Sequence, residues 1–176
     1  MDFEQAVSAG WDAADPKDAE LTLRYFADLL DRYPDDPRAI FEVAHAFDWS
    51  GQHDEAVPIY EQSFAAGLAG DDLRRAMAQC GSALRNLGRA DEAVALLERA
   101  NVLFPGSDVV RSFLALALQS AGRSDEAIAE LLDLALDRVQ SEDFERYEWA
   151  IRKYAAALRP GISSSATDDD GRTPTD

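Results

Sequence analysis

A single cysteine, Cys80, rules out an intramolecular disulfide. Basic side chains are scarce: 17 stand against 34 acidic ones, for a net charge of −17 and an isoelectric point near 4.3. Phosphate recognition needs a basic stripe, so nucleic acid is not an expected partner. No apolar run reaches the length of a membrane span, so no membrane partner is expected. The opening Met1-Asp2-Phe3-Glu4-Gln5 has neither the basic nor the apolar region of a secretory signal, and a soluble cytoplasmic protein is the expectation. A glycine-rich phosphate loop is missing. Only two histidines occur, His45 and His53, with no further ligand at a suggestive spacing, so they read as surface histidines and no metal or cofactor is expected. Fifteen of the 17 basic residues are arginine and alanine is abundant, which suits a GC-rich bacterial genome.

The acidity is uneven. Residues 1–73 carry 17 acidic and 4 basic side chains, residues 74–159 carry 13 and 12, and residues 160–176 carry 4 and 1. The charge therefore belongs mainly to the first half, while the central and later parts are close to neutral.

What the chain has is a short stretch that occurs three times, G-x-x-D-E-A, at Gly51–Ala56, Gly88–Ala93 and Gly122–Ala127. The intervals are 37 and 34 residues, a period that signals stacked two-helix repeats. The glycine suits the left-handed conformation that ends a helix. The Asp-Glu pair falls in the first turn of the next helix, where it would cap exposed N–H groups and oppose the dipole. Such triplication argues against acid–base dyads.

Apolar residues recur at helical spacing between these turns. They predict helices over about 3–14, 16–33, 37–50, 54–67, 72–87, 91–104, 108–121, 125–139 and 142–158. Asp15-Pro16 is read as the start of the second, Asp71 or Asp72 as the cap of the fifth, and Ser107 or Asp108 as the cap of the seventh. Tyr33-Pro34 precedes Phe104-Pro105 by 71 residues, the sum of the two intervals, so the first 36 residues read as a diverged repeat. In the last helix Phe144, Tyr147, Ile151, Tyr154 and Leu158 form a narrow stripe. That suits a terminal helix covering the last repeat on one side and meeting water on the other. The Ser/Thr/Asp-rich residues 160–176 have almost no apolar surface and are expected to be disordered and dispensable for stability, Asp168-Asp169-Asp170 being a solvated run.

Relative to the alanine of each turn stretch, position −12 is Ala44, Gly81 and Ala115; position −16 is Ile40, Met77 and Arg111; position −9 is Phe47, Leu84 and Leu118; position +4 is Tyr60, Leu97 and Leu131. This set resembles the tetratricopeptide repeat (TPR) family, with Arg111 departing from its usual large apolar residue. The chain is similar to small stand-alone bacterial TPR proteins, a resemblance carried by the Leu68–Asp72 insertion, Phe113–Leu118 and Arg146-Tyr147 with Tyr154-Ala155. It implies an all-α, right-handed superhelix: one domain over 1–159, with repeats at about 3–36, 37–73, 74–107 and 108–141 and a capping helix at 142–158. It also implies a binding role without catalysis, and self-association is plausible for that group.

In such a superhelix the first helix of each pair lines the concave face. The residues left for a partner are then Phe41, His45 and Trp49; Arg75, Gln79, Arg85 and Asn86; and Phe113, with Tyr147 extending the row. Aromatics, arginine and amides favour protein interfaces. Arg75 and Arg85, roughly 15 Å apart along one helix, suggest a locally acidic peptide or partner helix. The alternative is a homodimer built on the same aromatic surface, and a small-ligand sensor ranks last. The Lys/Asn/Arg set that grips a terminal carboxylate in the chaperone-binding subgroup is not matched. Cys80 lies in an apolar stripe with no base beside it and reads as a buried small hydrophobe.

Overall fold

The computed structural model describes residues 1–160. Within them the chain forms nine α-helices and no strand: α1 Phe3–Asp12, α2 Ala19–Arg32, α3 Pro37–Trp49, α4 His53–Ala65, α5 Gly70–Asn86, α6 Ala90–Leu103, α7 Asp108–Ser120, α8 Ser124–Arg138 and α9 Glu142–Ala157. The expected disorder of the tail falls outside the described residues from 161 onward.

The repeated turn works as its glycine demands. Gly51, Gly88 and Gly122 have φ of 82°, 76° and 77°. Each donates its N–H three residues back, and the following residue donates five back, as in Gln52 N to Phe47 O and Arg89 N to Leu84 O, both 2.9 Å. This paired closure satisfies carbonyls that a helix end otherwise leaves open. The Asp-Glu pairs fall in the first turns of α4, α6 and α8, as expected, but do not cap them. No side chain caps α4, α6 or α8, because Gln52, Arg89 and Arg123 hold the cap positions. In the second and third copies the arginine of the turn instead grips the glutamate three residues on: Arg89 donates to both oxygens of Glu92 at 2.7 and 2.6 Å, and Arg123 does the same to Glu126 at 2.7 Å.

Two other starts differ from expectation. Asp15 accepts from Lys17 N in a turn, so α2 begins three residues later, at Ala19. Gly70 opens α5, leaving Asp71 and Asp72 inside its first turn, paired with arginines rather than capping. Ser107 does cap α7, accepting from Val110 N at 3.3 Å.

Successive helices pair antiparallel, and each pair stacks on the next: α4 and α6 receive the following first helices α5 and α7, while α3 lies beside α5 and α5 beside α7. Small residues set the spacing. Gly10, Ala44, Gly81 and Ala115 recur at 34, 37 and 34 residues and are all buried. A Cβ on Gly81 would lie 2.5 Å from Leu97 Cγ, and one on Gly10 would lie 2.5 Å from Tyr25 Cε1. Gly10 carries the register into the first 36 residues, with buried Thr22 and Phe26 standing where later repeats have Ala56 and Tyr60. Arg111, the departure from the apolar pattern, is compensated: its guanidinium meets Glu130 at 2.6 Å and Asp137 at 2.7 Å on α8.

The last helix does not sit where a cap would. It packs on α8, antiparallel to it, through Ala155 and half-buried Phe144, Ile151 and Leu158. Arg152 reaches Asp137 at 3.2 Å, and Arg159 reaches Asp133 at 2.7 Å. Ala129 of α8 is buried there, whereas its α6 equivalent, Ala95, is exposed, so α9 covers the outer surface of the solenoid. The face of α8 that would receive a further repeat stays open: Ile128 and Leu131 are 49% and 48% exposed, against 3% and 0% for their equivalents Val94 and Leu97. The charged outer surface of α8 outcompetes its apolar face because α9 brings arginines to match.

Gly81→Ala should destabilise the protein by roughly 1–3 kcal/mol, since Leu97 Cγ lies in the core and must move. Combining it with Leu97→Ala should cost less than the sum of the two single changes. Additive losses in urea denaturation would mean that this contact does not set the helix spacing.

Candidate functional site

The first helices bring one register position of each repeat into a row: Trp11, His45, Ser82 and Leu116, spaced 34, 37 and 34. Trp11 packs against His45 with ring centres 4.2 Å apart and planes tilted by 40°, and meets Trp49 edge-on at 6.1 Å. His45 is therefore an aromatic packed on both sides, since Phe41 lies parallel to it at 5.9 Å. Phe41 itself has no exposed surface and cannot touch a partner. It forms the floor of the row, with the Arg75 guanidinium 5.4 Å above its ring.

Beneath the row lies a carboxylate without exposed surface, Glu42. The Trp11 indole N–H donates to Oε2 at 2.7 Å, and Arg38 Nε donates to Oε1 at 2.6 Å. Arg38 also donates to Asp72 at 2.6 Å, so Glu42 and Arg38 tie α1, α3 and α5 together. Burial pushes the Glu42 carboxyl up, but His45, Arg38 and Trp11 outweigh it and hold the group below the ordinary carboxylate value. His45 Nδ1 stands 3.7 Å away, beyond hydrogen-bond reach, so Arg38 and Trp11 carry most of that effect.

A second cluster closes the far side. His53 Nδ1 lies 2.8 Å from Asp48, and Asn86 Nδ2 lies 3.2 Å from His53 Nε2. Asn86 Oδ1 accepts from Arg85 Nη2 at 2.9 Å, which turns the Asn86 amide nitrogen toward His53 Nε2. Neither histidine is the surface residue expected, because each is held in place by aromatic or polar neighbours. The Tyr60 hydroxyl reaches Asp48 at 3.4 Å and Gln79 at 3.3 Å, and burial, then Asp48, holds its phenol above the usual value.

The two arginines differ. Arg75 is paired with Asp72 at 3.4 Å, whereas Arg85 meets no carboxylate among the described residues. Phe113 is half-buried and packs against the core, so only part of it faces the row. Tyr147, although exposed, rides on α9 over the outer surface and does not extend the row. Trp11, Glu42 and Asp72 were missed. Trp11 was findable, standing 34 residues before His45; Glu42 gave no signal, because a glutamate on a helix normally faces water. Burial pushes the Cys80 thiol up to about 12, which suits a packing role. No cluster of three or more potential metal ligands occurs among the described residues, and no helix there is long and apolar enough to cross a membrane.

Stacked two-helix units with a row of partly exposed side chains on their first helices define a helical-repeat solenoid. The profile described as Tetratrico peptide repeat matches residues 37–158, and the chain belongs to that family. Among solved structures it is similar to MamA 41-end from Desulfovibrio magneticus RS-1, with a TM-score of 0.63 and 18% identity, covering 89% of this chain and 88% of that one. It is also similar to YrrB, described as a TPR protein with an unusual peptide-binding site, with a TM-score of 0.62 and 16% identity over 92% and 88% of the two chains. At these identities the likeness concerns the fold. Comparison with curated proteins finds no match.

Glu42→Gln should lower stability at neutral pH by about 3 kcal/mol, because it leaves Arg38 half-paired beneath the row. The native carboxyl is depressed, so its contribution is full above the ordinary value of 4.5 and fades as pH falls through the lower native value. The difference between wild type and variant should therefore narrow below about pH 4.5. A gap constant across an acid series of denaturation curves would show that the charge is not responsible.

Proposed function

We propose that this protein is a non-enzymatic scaffold that holds a peptide segment or partner helix along the row formed by α3, α5 and α7. The binding unit is residues 1–159, acting as one domain in the cytoplasm. The observation that carries this reading is the neighbourhood of Trp49, Asn86 and Arg85. Trp49 and Asn86 hold equivalent positions on adjacent first helices, 37 residues apart, and Asn86 is tied through His53 to Asp48, the residue before Trp49. Adjacent first helices thus offer an aromatic side chain and a guanidinium with no carboxylate of its own at their C-terminal ends. Arginine and tryptophan in such a setting are the residue types that dominate binding energy.

The charge pattern refines the partner. Arg75 is neutralised by Asp72, so Arg85 is the group that would meet an acidic side chain, with Trp49 taking a neighbouring apolar anchor and exposed Leu116 continuing the apolar surface. His45 and Gln79 contribute edges, and Phe113 contributes part of a wall. Family membership supports a protein-interaction role, and the peptide-binding site in the description of YrrB supports a peptide as the occupant.

With the full chain as bait in an extract of its source cells, Arg85→Glu should abolish capture of the partner while far-UV circular dichroism stays unchanged. Trp49→Ala should weaken the same interaction by about 2 kcal/mol in titration calorimetry with the captured partner. Undiminished binding in both variants would refute the groove reading.

A further inference from the structure

The C-terminal end of the solenoid is unfinished. In α4 and α6 the residues at this register, Val57 and Tyr60, then Val94 and Leu97, are buried as the next first helix stacks on them. The equivalent pair on α8, Ile128 and Leu131, is half exposed, because α9 is held on the outer surface by Arg152 and Arg159. The open stripe continues along α8 through the partly exposed Leu132 and Ala135. These residues follow helical spacing and include no charged side chain. Terminal repeats of a soluble solenoid ordinarily present a polar outer face, so this surface needs an occupant.

We propose that a second copy of the chain covers this face, giving a twofold dimer joined end to end through α8. Three observations select that occupant. The partner surface must be a helix bearing an apolar, uncharged stripe, and α8 of another copy supplies one, with Ala135 as the small central residue that lets two helices approach. The charge distribution permits it: residues 74–159 are nearly neutral, whereas residues 1–73 carry a net −13. Joining the C-terminal ends holds the two acidic halves far apart, beyond effective Coulomb range at ordinary salt. Stacking one copy's acidic N-terminal repeat on this face would instead make a heterologous contact that continues into a filament. The chain beyond residue 160 is a poor occupant, having only Ile162 as a sizeable apolar residue.

This surface is separate from the groove, so its test is independent of the proposed function. Sedimentation equilibrium of the full chain should give twice the 19.3 kDa of one chain. Ile128→Glu with Leu131→Glu should give the single-chain mass with unchanged helical content, whereas Arg85→Glu should remain dimeric. As a check that does not depend on the double variant folding, Ala135→Cys, at the centre of the contact, should form an interchain disulfide on mild oxidation. Val102→Cys, exposed on the outer side of α6, should not, and Cys80 is buried and stays silent. A monomeric wild type would overturn the proposal, as would a dimer that survives the double glutamate change. So would a species larger than two chains, or cross-linking through Val102→Cys but not Ala135→Cys.

Discussion

The close approach of helices at Gly10, Ala44, Gly81 and Ala115 is the constraint on which the rest of the structure rests. At Gly81 there is no room for a Cβ, because Leu97 fills the space and is itself wholly buried. That spacing lets each second helix present Val57 and Tyr60, or Val94 and Leu97, to the next pair. Stacking follows from it, and the row of first helices follows from stacking. A small side chain here matters for the volume it leaves free, since protein interiors are too densely packed to absorb an extra methyl without movement.

The row of first-helix side chains is held from below by charge. Glu42 has no exposed surface, yet it is ionised, because Arg38 and Trp11 donate to its two oxygens. A buried ion pair is weak support for stability in itself, since desolvating the charges offsets much of their attraction. Its clearer effect is registration: one carboxylate joins α1 to α3, and the Arg38 that binds it also joins α3 to α5. Trp11 is thereby fixed against His45, and Arg75 over Phe41, so the shape of the row depends on a group that is itself wholly buried.

At the C-terminal end, apolar burial and charge pairing give different answers for α9. Its own stripe of Phe144, Ile151 and Leu158 would suit either surface of α8. The acidic set Glu130, Asp133 and Asp137 lies on the outer one, however, and Arg152 and Arg159 follow it there. Arg111 belongs to the same network through Glu130 and Asp137. A residue that looked like a lapse in the repeat pattern is part of what fixes the direction of the last helix.

The sequence by itself determined the helices, their pairing and the family, because these rest on local rules: apolar spacing of about 3.6 residues, a left-handed glycine at each stop, and a period that recurs. Cys80 as core and Ser107 as cap were legible for the same reason. Local rules failed where two features compete for one residue. The Asp-Glu pairs were expected to cap, but the neighbouring arginine took the glutamate; Asp15-Pro16 was expected to start a helix and made a turn. Trp49, Arg85 and Asn86 were readable as residues of the first helices, while Phe41 was misassigned to the surface because helical angle alone does not tell floor from wall. Only the tertiary structure decided that Glu42 is buried, that Arg75 is already neutralised while Arg85 is not, and that α9 lies outside. Each of these depends on which side chain from a distant helix arrives within about 3 Å, and hydrogen bonding and charge pairing at that range are invisible to spacing along the chain.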